Sequence, residues 1–148
     1  MDQIDISGVQ LTKLKIIENA KGNIYHILKN RDLNYNVIGE VYSSKILSNE
    51  IKAWKSHSKQ TQNLCVISGE ILVILYDDRI NTKTYKSIKR QLLNSKDKYF
   101  LLTIPPNIWY GFKGISQNES IIINCTDLPH DPLESKNISI EDFPIKFS

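Results

Sequence analysis

Apolar residues in this chain come in short runs, not at the three-and-four spacing of an amphipathic helix. Residues 64–67, 71–76, 99–104 and 121–125 are each dominated by Leu, Ile, Val, Phe or Tyr. They are stopped by Ser68-Gly69-Glu70, Asp77-Asp78-Arg79, Pro105-Pro106 and Thr126-Asp127. Brevity, β-branched content and Pro, Gly and Asn punctuation favour strands over buried helical segments. Residues 40–47 read as a further strand ending in Ser48-Asn49. Residues 64–76 read as strand, tight turn and strand, a hairpin with Gly69 at a positive-φ position. Residues 83–93 are ambiguous, with a strand of polar alternation as one reading. No helix longer than two turns is expected. Short strands at this spacing predict a sandwich or barrel. The polar segment from Leu128 on, with Pro129, Pro132 and Pro144, is expected to wrap the surface or a partner subunit. No repeat or linker divides the chain, so one domain over residues 1–148 is expected.

Composition sharpens the class. The 148 residues are 41% hydrophobic and 24% charged, an ordinary globular balance. A chain of this length buries about two-thirds of its unfolded surface and needs no disulfide or metal staple. No apolar run reaches the roughly 20 residues of a membrane span, and the opening Met1-Asp2-Gln3-Ile4-Asp5 does not resemble a secretory signal. A cytoplasmic protein with no membrane partner is therefore expected, with Cys65 and Cys125 as reduced core residues and a bridge between them as the alternative. The net charge is +3, but the lysines are scattered and only Arg31, Arg79 and Arg90 are arginine. That lacks the basic stripe of a nucleic-acid binder and remains compatible with a small anionic ligand.

Candidate chemistry concentrates in two stretches. Residues 51–62 place Lys52, Lys55, His57, Lys59 and Gln60 within nine positions. In an extended segment Lys55, His57 and Lys59 share one face. That face is either the inside of a barrel, a basic and proton-transferring concavity, or an exposed lysine-rich edge. Residues 104–114 follow two prolines with Trp109, Tyr110 and Phe112, which suit either a ligand pocket or a sheet corner. Other chemistries find no support. No Gly-rich phosphate loop, CxxC pair or serine nucleophile elbow is present. His26, His57 and His130 are far apart, and a His-x-His pattern is broken at Lys55. No metal and no cofactor are expected.

The order Gly39-Glu40-Val41-Tyr42, Lys52-Ala53-Trp54-x-x-His57-x-x-Gln60-Thr61, Val66-x-Ser68-Gly69, Leu75-Tyr76-Asp77-Asp78-Arg79 and Ile104-Pro105-Pro106-x-x-Trp109-x-Gly111-Phe112-Lys113-Gly114 resembles the dTDP-4-dehydrorhamnose 3,5-epimerase family of cupins. It is most similar to a short, divergent epimerase-like branch found in sugar-nucleotide and surface-polysaccharide gene sets. The resemblance implies an all-β cupin jelly-roll barrel (a double-stranded β-helix), a homodimer and a ligand inside the barrel. It implies metal-free proton abstraction beside the 4-keto group of a deoxyhexose nucleotide. It puts Lys55 where the family has its base histidine and Lys52 where the family has a phosphate-contacting arginine. Tyr110 stands for the histidine before Gly-Phe, and Ile123 falls at the acid tyrosine. Asp142 is a loose match for the aspartate that orients the base.

Two functions follow as expectations. One is an epimerase or isomerase acting on a dTDP-sugar or similar. Its catalytic residues would be His57, Lys55 and Asp142, with Lys52, Lys59, Gln60, Tyr76 and Tyr110 binding substrate. In it His57 is the base and Lys55 stabilises the enolate, or Lys55 itself is the base. A lysine serves as base only where burial or neighbouring cations lower its pKa, whereas an ordinary imidazole titrates near neutrality. The other is a non-catalytic cupin that binds a sugar or nucleotide sugar, Lys55 and Ile123 having replaced the catalytic His and Tyr. A jelly roll filled by its own side chains is a third possibility, with no ligand.

Overall fold

The structure is a computed structural model and describes residues 2–3, 5–29 and 38–147. Among these residues there is no α-helix, and every strand pairing is antiparallel. In chain order the strands are β1 (Asp2–Gln3), β2 (Gln10–Lys13), β3 (Ile16–Ile17), β4 (Ile24–Tyr25), β5 (Glu40–Ile46), β6 (Ile51–His57), β7 (Gln62–Ser68), β8 (Glu70–Asp77), β9 (Ile88–Asn94), β10 (Phe100–Ile104), β11 (Ile108–Gly114), β12 (Ser120–Thr126) and β13 (Ser135–Asn137). One sheet has the order β1-β2-β10-β7-β12-β5, the facing sheet β13-β6-β11-β8-β9, and β3-β4 form a small ribbon. Successive strands alternate between the two large sheets over much of the chain. This is the jelly-roll cupin barrel.

The expected hairpin over residues 64–76 does not form. β7 and β8 lie in different sheets, and Gly69 is the corner between them. Its φ is +81°, and a Cβ there would sit 2.3 Å from Ser120 Oγ. Ser120 Oγ in turn accepts from the Glu70 N–H and donates to the Glu70 carbonyl, both at 3.1 Å. The glycine is thus required by conformation and by space, at a corner and not at a hairpin tip. The ambiguous segment 83–93 resolves into a turn followed by β9, which forms a true hairpin with β8. That turn is built on buried Asp77, whose carboxylate accepts from Arg79, Thr82 and Thr84. Arg79 also donates to the Ser7 carbonyl at 2.6 Å, tying the N-terminal segment to this end of the barrel.

Period-two alternation distributes three apolar clusters. Between the sheets lie Leu64, Val66, Val73, Leu75, Leu102, Ile108 and Ile122. On the outer face of the six-stranded sheet Cys65, Tyr99 and Leu101 are covered by Ile16, Tyr25 and Ile27 from the β3-β4 region. On the outer face of the five-stranded sheet Trp54, Ile74 and Trp109 are covered by Phe143 and Phe147. The C-terminal segment therefore does more than wrap the surface. It adds β13 to β6 and stacks Phe143 on Trp54 with ring centroids 4.2 Å apart.

Candidate functional site

The barrel is not filled by its side chains. A cavity of about 420 Å³ opens between the sheets, within the roughly 300–1,000 Å³ of small-molecule sites. Tyr42, Ser44, Ile122 and Asn124 line it from the six-stranded sheet, and Lys52, Lys55, Tyr110 and Phe112 from the other.

An irregular pairing shapes the second wall. Lys55 lies opposite Tyr110 and Lys52 opposite Phe112, so β6 spends three steps where β11 spends two. This is a β-bulge, which re-aims side chains at sites of this kind. It lets Lys52 and Lys55 line one cavity although they are three positions apart, an offset that would otherwise put them on opposite faces. Gly111 sits at the bulge, and a Cβ there would fall 2.4 Å from Ala53 Cβ. The close approach of β6 and β11 thus requires Gly111.

His57 lies at the end of β6, buried beyond Tyr110. Its Nδ1 is hydrogen-bonded to Glu134 Oε1, and its Nε2 lies 3.2 Å from the Tyr110 hydroxyl. The second oxygen of Glu134 accepts the backbone N–H groups of Lys59 at 3.1 Å and Gln60 at 3.0 Å. Burial alone would raise the Glu134 pKa. The hydrogen bonds from His57, Gln60 and Lys59 outweigh it and hold the carboxyl below its ordinary value. An ionised carboxylate only accepts, so Nδ1 carries the proton and the Nε2 lone pair faces Tyr110. Burial drives the Tyr110 phenol well above its ordinary range, with smaller contributions from Tyr42 and Glu134. Tyr110 is therefore a neutral hydroxyl, and can take a proton from the cavity only while passing its own to His57.

The expected site residues separate into groups. Lys55, Lys52 and Tyr110 line the cavity, and His57 stands behind Tyr110. Lys52 spans toward β5, donating to Ser44 Oγ at 3.2 Å and the Lys45 carbonyl at 2.7 Å. Lys59 lies beyond the end of β6 with its side chain exposed, and its backbone N–H serves Glu134. Gln60 is buried away from the cavity, where its amide donates to the carbonyls of Leu128 and Pro129. Tyr76 faces the outer cluster, edge-on to Phe143. Trp109 also faces outward and donates to Asp78 at 3.0 Å. Asp142 is exposed in a turn with Ser139, and Glu134 occupies the place beside His57 that Asp142 was expected to hold. Ile123 packs with the outer cluster around Cys65, and its neighbours Ile122 and Asn124 face the cavity.

Three functional candidates went unassigned in the sequence. Asn124 had a signal, as a polar residue inside an apolar run. Tyr42 had one too, sharing parity with buried Ile46 on β5. Glu134 had none, being one carboxylate in a polar segment. Among the described residues no three His, Cys, Asp or Glu side chains converge as a metal site, and no helix is long and apolar enough to cross a membrane.

Barrel, cavity and buried histidine–carboxylate pair together are those of a cupin with a site of small-molecule size. The chain belongs to the dTDP-4-dehydrorhamnose 3,5-epimerase family, whose model matches residues 3–148. A solved dTDP sugar isomerase from Desulfovibrio desulfuricans G20 superposes with a TM-score of 0.91 at 37% identity, covering 94% of this chain and 88% of that one. The spore coat polysaccharide biosynthesis protein SpsL of Bacillus subtilis (strain 168) is 27% identical over 97% of this chain and 95% of its own. The probable low-salt glycan biosynthesis epimerase Agl13 of Haloferax volcanii is 25% identical over 81% of this chain and 78% of its own.

Proposed function

We propose that this protein is an epimerase or isomerase of a 4-keto-deoxyhexose nucleotide, a dTDP-sugar or close analogue, in surface polysaccharide synthesis. The observation that carries the reading is the Tyr110–His57–Glu134 relay ending at a cavity that also holds Lys55. In the reaction Tyr110 Oη removes a proton from the carbon beside the ketone as its own proton moves to His57 Nε2. The C–H electron pair moves into the carbonyl, giving an enolate. The imidazolium that forms is stabilised by the Glu134 carboxylate. The Lys55 ammonium, beside Tyr110 on the same wall, supports the charge on the enolate oxygen. Lys52 at the rim is placed to meet an anionic part of the ligand. None of these steps calls on a cofactor or a metal. The family's own name and the dTDP sugar isomerase likeness support the nucleotide-sugar substrate; SpsL and Agl13 support the polysaccharide setting.

The test is proton NMR of the protein with dTDP-4-keto-6-deoxyglucose in D2O. Deuterium entering beside the ketone faster than in buffer supports the enzyme. Binding with no exchange supports instead a non-catalytic sugar-nucleotide cupin, a reading favoured by the lysine at position 55.

A further inference from the structure

Tyr42 lines the cavity from β5, on the wall opposite Lys55 and Tyr110, and has no part in the relay. Its hydroxyl oxygen is 3.0 Å from Asn124 Nδ2. The direction of that hydrogen bond is fixed by a buried amide chain anchored on groups with no choice. The Leu128 and Pro129 carbonyls can only accept, so the Gln60 amide nitrogen faces them at 2.8 and 3.1 Å. Gln60 Oε1 then accepts from Gln62 Nε2 at 2.8 Å, and Gln62 Oε1 from Asn124 Nδ2 at 2.6 Å. At the far end the backbone N–H of Asn63 can only donate, and it does so to Asn124 Oδ1 at 3.2 Å. Both ends force the same orientation on Asn124, whose nitrogen donates to Tyr42. The Tyr42 oxygen therefore accepts within the protein, and its own hydrogen is left for the cavity.

We propose that Tyr42 is the second proton-transferring residue of this site, donating to the face of the sugar opposite the one that Tyr110 and His57 deprotonate, with Asn124 as the positioning residue that sets the polarity of its hydroxyl. The inference rests on the enolate reading above. The proton removed from carbon ends on Tyr110, whose own proton has passed to His57. As the enolate returns to the ketone, its carbon takes the Tyr42 proton from the other wall, which inverts the centre. Tyr42 leaves as a phenolate that regains a proton from water, to which the residue is 43% exposed, and the imidazolium loses its proton to solvent.

The experiment follows deuterium entry and stereochemical inversion separately, with dTDP-4-keto-6-deoxyglucose in D2O. In Tyr42→Phe inversion is expected to fall on the order of 100-fold or more, while exchange persists because the enolate is still formed and reprotonated from the original side. Inversion at the wild-type rate in Tyr42→Phe overturns the proposal, and so does an equal loss of exchange and inversion. A wild-type protein that binds the sugar nucleotide without exchange overturns the enzyme reading and this inference together. Asn124→Asp, which replaces the donor by an acceptor and turns the phenol hydrogen inward, is expected to lose inversion selectively. Parallel loss of both signals in that variant would reduce Asn124 to a structural role.

Discussion

His57 and Glu134 are 77 residues apart in the chain and share a buried hydrogen bond from imidazole Nδ1 to carboxylate. The pair fixes the tautomer that presents the Nε2 lone pair to Tyr110. His57→Asn removes the proton acceptor behind Tyr110 and leaves the cavity wall in place. Deuterium exchange into a 4-keto sugar nucleotide should fall roughly 100- to 10,000-fold, with nucleotide-sugar affinity, measured by calorimetry, nearly unchanged. Exchange at the wild-type rate would remove His57 from the relay.

Lys55 faces the cavity beside Tyr110, its cross-strand neighbour on the same wall. Lys55→Met keeps the length and removes the charge. Loss of one electrostatic contact to an enolate lowers turnover by about 100- to 1,000-fold. The loss should appear in kcat more than in KM, because the charge that Lys55 meets develops only during reaction. A change confined to KM would make Lys55 a binding residue.

Glu134 also ties the fold to pH. Its folded carboxyl lies below its unfolded value. The stability it contributes is therefore complete above the ordinary carboxylate range and is lost as pH falls through the lowered folded value. Glu134→Gln should cost about 1–3 kcal/mol at neutral pH and should flatten the acid limb of a denaturation profile. An unchanged acid limb would show that other carboxylates dominate it.

Cys65 should be inert. Burial foremost, with a contribution from Cys125, pushes its thiol up to about 12. Alkylation by iodoacetamide at pH 8 should track global unfolding in denaturant, since thiolate is the reactive form. Rapid labelling of the native protein at Cys65 would contradict its burial against Tyr99 and Leu101.

Gly69→Ala tests the corner. The positive φ and the collision with Ser120 act together, and left-handed strain alone costs on the order of 1–3 kcal/mol. The melting temperature should drop by several degrees, while substrate exchange below the transition is retained.

The strands were legible because β7, β8, β10 and β12 are apolar on both faces, and both faces are indeed covered. Their partners were not legible. One glycine between two apolar strands serves a hairpin tip and an inter-sheet corner equally well, and only the steric fit to Ser120 decides. At the site, alternation puts Lys55, His57 and Lys59 on one face; Lys55 lines the cavity, His57 stands behind Tyr110, and Lys59 lies beyond the end of the strand. Lys52 joins Lys55 in the cavity only because a bulge adds a residue that the hydrophobic pattern does not register. Asp142 and Glu134 are both carboxylates in a polar C-terminal segment. What distinguishes them is that Ser135–Asn137 pairs with β6, which brings Glu134 to the end of that strand, and no local pattern announces the pairing.

Trp54 and Lys55 are consecutive residues with opposite surroundings, one stacked under Phe143 outside the barrel and the other facing its cavity. The strand that carries Lys55 is thus anchored from behind, by aromatic contacts on the outer face of the sheet. Inward positions of β6 are consequently free to exchange one side chain for another without unseating the strand. A barrel wall built this way can be re-equipped by point substitution, and Lys55 stands at one of the positions open to such a change.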